Sequence, residues 1–323
     1  MVDGTQLAQS KAIHRQTGRT FYYATRLLPE RVRHATYVLY AFFRVADEVV
    51  DDAEADADPA GQREKLEAVR AAALGEESMA PDAEDGQVLS AFAELKERYG
   101  IPREEINVFI DAMLTDIDTA RYDTYRELES YMRGSASAVG VMMTYVMDPE
   151  QQETAIPFAQ RLGEAFQLTN FVRDIGEDIA DRDRIYMPAE TLEQYGVSEA
   201  QIERREFDDA VAAVVEHELV RAEALYREGV MGIKCLPADC QLPVLTAAVL
   251  YADHHRLIRR MDHDTLTTTP ELSALRKMYL LGKTYIYWRW SSDPDAVFAK
   301  VASLPRPSET HSTPEPGEPL PAR

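Results

Sequence analysis

Tyr40, Arg44, Asp47 and Asp51 follow one another at steps of four, three and four, which places all four side chains on one helical stripe. Two carboxylates at i and i+4 repel each other unless a cation sits between them. The neighbours Phe42, Phe43, Val45, Ala46, Val49 and Val50 are apolar, and a buried charge must be paired or must coordinate metal. A second stripe, Gln167, Asn170, Asp174 and Asp178, runs at steps of three, four and four. Asn and Asp oxygens are hard ligands suited to Mg²⁺, and no His/Cys cluster competes for zinc. Mg²⁺ takes a few carboxylates and completes its shell with water and substrate phosphate. Two facing stripes of this kind predict several Mg²⁺ ions gripping a diphosphate. Arg44 and Arg173 are placed to meet phosphate oxygens.

A blander reading stands beside this one. In a chain with 56 acidic residues among 323, chance alone gives roughly ten acidic i,i+4 pairs, most of them solvated helix faces. Asp52 and Asp56, in a polar linker ahead of Pro59, are such a pair. What sets the two stripes apart is that both sit in apolar sequence and both carry an arginine. The alternative is a non-catalytic acidic helical scaffold. Its loops lack the calcium pattern of alternating oxygen ligands around a central glycine.

The elements that must hold the stripes are helices. The first stripe predicts a helix over 31–51, and the second a long helix over 151–179. Others are expected near 5–16, 61–74, 87–99, 102–118, 189–195, 207–229, 241–262 and 270–290. Tyr125 to Met147 is apolar and small, interrupted by Gly134 and Gly140. Few stretches alternate as strands do. The fold class expected is all-α: one helical domain over 1–303, followed by a Pro-rich tail over 304–323 that is expected to be disordered.

Charge bounds the partners. The balance is 35 − 56 = −21. Such a surface repels nucleic acid and anionic membranes unless a basic patch is concealed. Of the 35 basic residues only Lys11, Lys65, Lys96, Lys234, Lys277, Lys283 and Lys300 are lysines. An acidic, lysine-poor surface fits a halophilic protein, for high salt screens its repulsion. Cys235 and Cys240 are expected to be reduced thiols of a cytoplasmic protein. Met1 to Lys11 is polar and no apolar run is long enough to span a bilayer, so neither a signal peptide nor a spanning helix is expected.

These residues resemble the squalene and phytoene synthases, the head-to-head isoprenyl diphosphate synthases. Tyr40 to Asp51 and Gln167 to Asp178 look like that family's two aspartate-rich motifs. Thr17 to Ala24, running on to Leu27-Leu28-Pro29, is similar to its N-terminal substrate segment. Tyr131 to Gly140 resembles its small-residue helix, and Asp183-Arg184-Ile185-Tyr186-Met187-Pro188 its loop after the second motif. Roughly residues 10–290 are covered.

The resemblance implies an isoprenoid-synthase-type bundle around an apolar cavity. It implies Mg²⁺, with Mn²⁺ as a substitute, on Asp47, Asp51, Asn170, Asp174 and Asp178. Prenyl diphosphates would be bound by Thr17, Gly18, Arg19, Thr20, Tyr40, Arg44, Gln167, Arg173 and Tyr251. Phe21, Ala136, Val139 and Gly140 would line the hydrocarbon tunnel, and Tyr131 matches a tyrosine implicated in proton handling. Thr20 departs from a serine common in relatives but keeps the hydroxyl. Within the family the motif wording looks carotenoid-type. That implies condensation of two geranylgeranyl diphosphates to phytoene, without NADPH. Squalene or dehydrosqualene synthesis from farnesyl diphosphate is the alternative. The lipophilic product implies transient, peripheral membrane contact. Outside the motifs, His254 and His255 read as satisfied structural histidines, Met142-Met143 as packing, and Phe43 more as core than as a cation-stabilising face. Arg276 and Lys277 are equally suited to a diphosphate or to an ordinary surface.

Overall fold

Helices account for every regular element among the described residues, apart from one isolated parallel bridge between Arg121 and Ile185. The all-α expectation holds. The computed structural model describes residues 24–51, 59–77 and 85–305, and of Asp51 only the backbone. Its helices begin with α1 (Glu30–Asp51), α2 (Pro59–Leu74), α3 (Gly86–Tyr99), α4 (Arg103–Asp118) and α5 (Tyr125–Met132). A π turn, Arg133–Ser137, leads to α6 (Ala138–Met147), α7 (Gln152–Arg173), α8 (Ile175–Arg182), α9 (Ala189–Gln194) and α10 (Glu199–Glu203). Then come α11 (Asp209–Met231), a 3₁₀ turn over Gly232–Cys235, α12 (Ala238–Arg260), α13 (Ala274–Trp290) and α14 (Pro294–Val301). The expected helix near 5–16 and the expected disorder of the tail beyond residue 305 fall outside the described residues.

Two compact units emerge. One holds the residues up to Asp118 with Arg133–Gln160 and Gly232–Ala247; the other holds Thr119–Met132, Arg161–Met231 and the chain from Ala248. The first is built on α1, which touches α2, α3, α4 and α6. Val38, Leu39, Ala41, Phe42, Val45 and Ala46 form its buried face. Phe42 stacks on Phe92 with ring centroids 3.9 Å apart, and Phe109 lies 5.4 Å from Phe42 and 5.0 Å from Phe43. Burying one such ring stabilises by about 1.5–3 kcal/mol. Phe43 is half-buried and packs against this cluster. Helix ends are closed locally: Gly100, at φ 65°, turns α3 off as only glycine does without strain. The buried Lys96 ammonium donates to the Leu74 carbonyl at 2.9 Å, capping the last turn of α2.

The small-residue stretch is small because backbones meet there. A Cβ on Gly134 would run into the Val108 carbonyl and the Ala112 methyl of α4, and one on Gly140 into the Ala159 carbonyl of α7.

In the second unit the expected helix over 151–179 proves to be two. α7 ends at Arg173 and α8 begins at Ile175, with Asp174 between them at φ −105°, ψ 14°. The cause is tertiary. The Gly176 N–H donates to the Thr265 carbonyl at 3.1 Å, and a Cβ on Gly176 would strike the Leu266 carbonyl. The turn nonetheless carries across the break. The Asp174 N–H donates to the Asn170 carbonyl at 2.9 Å and the Asp178 N–H to the Asp174 carbonyl at 2.8 Å. The spacing of the second stripe thus survives.

Both cysteines are free; burial and the neighbouring Asp239 push the Cys240 thiol up to about 12. Among the described residues no helix is long and apolar enough to cross a membrane.

Candidate active site

The first stripe lies on α1 opposite the packed face. Ala41, Phe42, Val45 and Ala46 are buried, while Tyr40 and Arg44 are half-buried. The Asp47 side chain is 39% exposed, so the expectation that the acids of this stripe are buried does not hold for it. The helical period explains why: Phe42, Val45 and Ala46 take the other side of the helix, while Phe43 and Val50, which share its side, are only half-buried. Arg44 reaches Asp47 at 3.5 Å and Glu48 at 3.2 Å. Its Nε is buried with no hydrogen-bond partner among the described residues. Thr17, Gly18, Arg19, Thr20 and Phe21 lie outside the described residues, as does the side chain of Asp51.

Ala136 is buried in the π turn, and Val139 and Gly140 are half-buried at the start of α6.

In the second unit the second stripe comes together. Gln167 and Asn170 are half-buried on α7, and Asp178 is buried on α8. Arg173 holds Asp174 with its Nε at 2.6 Å and Nη2 at 2.5 Å. Burial opposes the Arg173 charge, but the hydrogen bond and charge of Asp174 outweigh it and raise the pKa. Asp178 receives Arg182 at 3.2 Å. Burial first, and the adjacent Asp174 charge second, push its carboxyl up to about 7, against the pull of Arg182 and Arg184. Burial, more than like charge, disfavours the Asp178 carboxylate as an anion. The Asn170 Oδ1 is buried and has no hydrogen-bond partner among the described residues, and an orphaned buried acceptor costs about 1–3 kcal/mol.

This donor set tests the fit of a hard cation. No group of three or more His, Cys, Asp or Glu residues arranged to hold a metal occurs among the described residues. What does occur is two adjacent carboxylates and an amide oxygen in want of a partner, all hard donors. Mg²⁺ asks for little more from a protein, since water and substrate phosphate complete its octahedron. The residues fit.

Beside the stripe stands an aromatic wall that sequence alone does not assemble. Phe171 stacks on Tyr186 at 3.9 Å and 10°. Tyr131 lies 5.5 Å from Tyr122, 6.0 Å from Tyr186 and 6.3 Å from Phe171. The four rings come from α5, from the stretch before it, from α7 and from the loop after α8. The bridge between Arg121 and Ile185 holds two of those stretches side by side. Tyr251, half-buried on α12, packs on Phe166 at 4.7 Å and lies near Arg173. The buried histidines are satisfied as expected: His255 Nε2 is 2.9 Å from Thr169 Oγ1 and His254 Nδ1 is 3.0 Å from the Tyr251 carbonyl. Arg276 is taken up by Asp253, at 2.9 and 2.5 Å. The residues the sequence reading missed are Tyr122, Phe171, Arg182 and Arg184. Phe171 lies inside the second motif, Arg184 in the loop after it and Arg182 four residues beyond Asp178, so only Tyr122 left no local signal.

Comparison with known proteins shows the family. The family model described as squalene/phytoene synthase matches residues 14–276. Phytoene synthase of Cereibacter sphaeroides is 33% identical over 87% of this chain and 80% of its own. Phytoene synthase of Rhodobacter capsulatus is 29% identical over 98% of this chain and 88% of its own. Among solved structures, a ligand-bound dehydrosqualene synthase superposes with a TM-score of 0.78 at 25% identity, covering 88% of this chain and 97% of its own. The chain belongs to the squalene/phytoene synthase family of prenyltransferases.

Proposed function

We propose that this chain condenses two geranylgeranyl diphosphates head to head, giving phytoene through a cyclopropyl diphosphate intermediate. The observation that carries it is the second stripe: paired carboxylates, one of them held against ionisation by burial and its neighbour, and a buried amide oxygen with no hydrogen-bond partner among the described residues. The likeness to phytoene synthases supports the choice of product. We assign residues 1–303 as the catalytic domain.

In this reading Asp47, Asp51, Asn170, Asp174 and Asp178 hold Mg²⁺, or Mn²⁺ in its place. The bound metal supplies Lewis-acid stabilisation of the departing diphosphate. Arg44 and Arg173 meet its oxygens, and Arg173, now spent on Asp174, is close enough to trade partners. Thr17, Gly18, Arg19, Thr20, Tyr40, Gln167 and Tyr251 bind the remaining diphosphate groups. Loss of diphosphate leaves an allylic cation, which the second substrate attacks; the cyclopropyl product ionises in turn and rearranges. Phe21, Ala136, Val139 and Gly140 keep water from the hydrocarbon chains. The rings of Phe171, Tyr122, Tyr131 and Tyr186 offer faces to positive charge, and Tyr131 takes part in removing the final proton. No hydride is needed, so NADPH is not used.

The experiment is a product assay with farnesyl and with geranylgeranyl diphosphate, each with and without NADPH. Phytoene from the longer substrate, independent of NADPH, is expected. Squalene formed only with NADPH would sink the reading. Dehydrosqualene from farnesyl diphosphate alone would favour the second reading, to which the solved dehydrosqualene synthase lends its 25% identity.

The enzyme is further read as a cytoplasmic, salt-adapted protein whose lipophilic product leaves toward a bilayer by peripheral contact. Its charge of −21 predicts a melting temperature that rises from low to molar KCl, and a flat response counts against salt adaptation.

A further inference from the structure

Among the described residues, the large exposed apolar side chains gather on α13. Leu275 is 81%, Met278 68% and Trp290 84% exposed, and Tyr279, Tyr285 and Ile286 are exposed as well. At 3.6 residues per turn these positions, with Gly282, fall on one face. The opposite face is spent on the fold: Leu280 and Thr284 are buried, and α14 packs against the helix. Isolated exposed apolar side chains are ordinary, but a contiguous stripe with three large aromatic rings marks an interaction surface.

Charge says what kind. From Leu272 to Ser292 no Asp or Glu occurs, while Arg276, Lys277, Lys283 and Arg289 do. Asp253 takes up Arg276, and Lys283 and Arg289 remain beside the stripe, in a chain of net charge −21. This is a basic patch on an otherwise acidic protein. Leucine, isoleucine and methionine along the stripe, Tyr and Trp along it and at its end, and Lys/Arg on the flanks are the composition of a helix lying in a membrane interface.

We infer that α13 is the surface by which this protein docks on a lipid bilayer bearing anionic headgroups. A second copy suits the face less well, because a self-complementary contact sets its like charges against each other. The inference deepens the peripheral contact in the proposed function, and rests on that reading only for why a bilayer is visited. The apolar stripe would sink to the acyl boundary, with Lys283 and Arg289 at headgroup level.

The chain carries its own probe, since both of its tryptophans, Trp288 and Trp290, lie on α13. Full-length protein is mixed with vesicles of phosphatidylcholine, with and without phosphatidylglycerol. A blue shift of tryptophan emission, larger with phosphatidylglycerol, is expected, with quenching by brominated acyl chains. Leu275→Ser combined with Met278→Ser should weaken vesicle binding at least tenfold and leave the melting temperature unchanged. Arg289→Gln should weaken only the phosphatidylglycerol-dependent part. Turnover of detergent-dispersed substrate should not change in these variants, so failure of docking and failure of the phytoene reading are told apart. Unshifted emission with the protein left in the supernatant overturns the inference. So does a dimer that the double substitution dissociates, which assigns the face to a second copy.

Discussion

Two sets of buried acids in the second unit answer burial in opposite ways. On α11 and α12 each acid is matched by cations. Glu216 meets Arg259 at 2.9 Å and His263 at 3.0 Å; Asp253 meets Arg256 at 3.1 Å and Arg276 at 2.5 Å. Glu223 meets Arg259 at 2.6 Å and His255 at 3.3 Å. Burial raises all three, the paired cations lower them further, and the net pKa falls below the ordinary range. Glu218, which has Arg221 as its one cation, is left raised by burial. Asp178 is raised too: burial first and the Asp174 charge second outweigh its two arginines, and it stands at about 7. The difference teaches that buried charge alone does not mark a site. What sets Asp178 apart is a raised carboxyl next to a second carboxylate and beside an amide oxygen with no hydrogen-bond partner among the described residues, a set of hard donors that a metal can satisfy.

The contrast is broken or upheld first by activity. Asp178→Asn should lower turnover by on the order of a hundredfold or more, the scale of losing direct support for a bound metal. In EDTA the same substitution should leave the fold as stable or raise its stability by about 1–3 kcal/mol, since a carboxylate held against its preference is removed. Kinetics and urea unfolding of one preparation read both. A variant that keeps its turnover, or that unfolds like a broken core, would place Asp178 with the structural acids.

Stability supplies the next test, with the sign reversed. Glu223→Ala should cost about 3–5 kcal/mol, because Arg259 and His255 are left buried with a partner missing. Any protein that still folds should turn over at a rate the loss of folded material accounts for. A change of a few tenths in unfolding free energy would mean that this network is as loose as a surface ion pair.

Both stripes were legible because their spacing is local: a period of 3.6 needs nothing beyond the sequence, and hydrogen bonds kept the second one in register. Burial was less legible. Asp47 has apolar neighbours on both sides in sequence, yet Phe42, Val45 and Ala46 turn to the packed face and it does not. The break at Asp174 depends on a carbonyl at Thr265 that no local pattern announces. The aromatic wall needs Tyr122, Tyr131, Phe171 and Tyr186 to meet from four segments, a matter of topology. The ion network of Glu216, Glu223 and Arg259 was missed because, in sequence, buried ion pairs look like a solvated helix face. α13 shows the reverse: its lack of acids is plain in the sequence, but only the structure says which side of the helix is bare.

The smallest expected effect is the response of the paired acids to pH. Glu216, Glu223 and Asp253 have folded pKa values below their unfolded ones, so their contribution is complete above the ordinary carboxylate range and is lost as pH falls through the folded values. The histidines act in the same direction but earlier. Burial lowers His254 to about 3 and His217 to about 4 from 6.5, so the unfolded chain binds protons that the folded one refuses. These groups should make stability fall from near pH 6.5 toward pH 3 by on the order of a few kcal/mol, against the opposing gain as Asp178 and Glu218, raised in the fold, take up protons. Urea midpoints of the metal-free protein taken across that window give the slope. His254→Asn should flatten its upper half and leave the carboxylate part below it. A slope beginning only below the carboxylate range would mean that His254 keeps its proton in the fold, and its place among the satisfied, neutral groups around Arg173 would have to be given up.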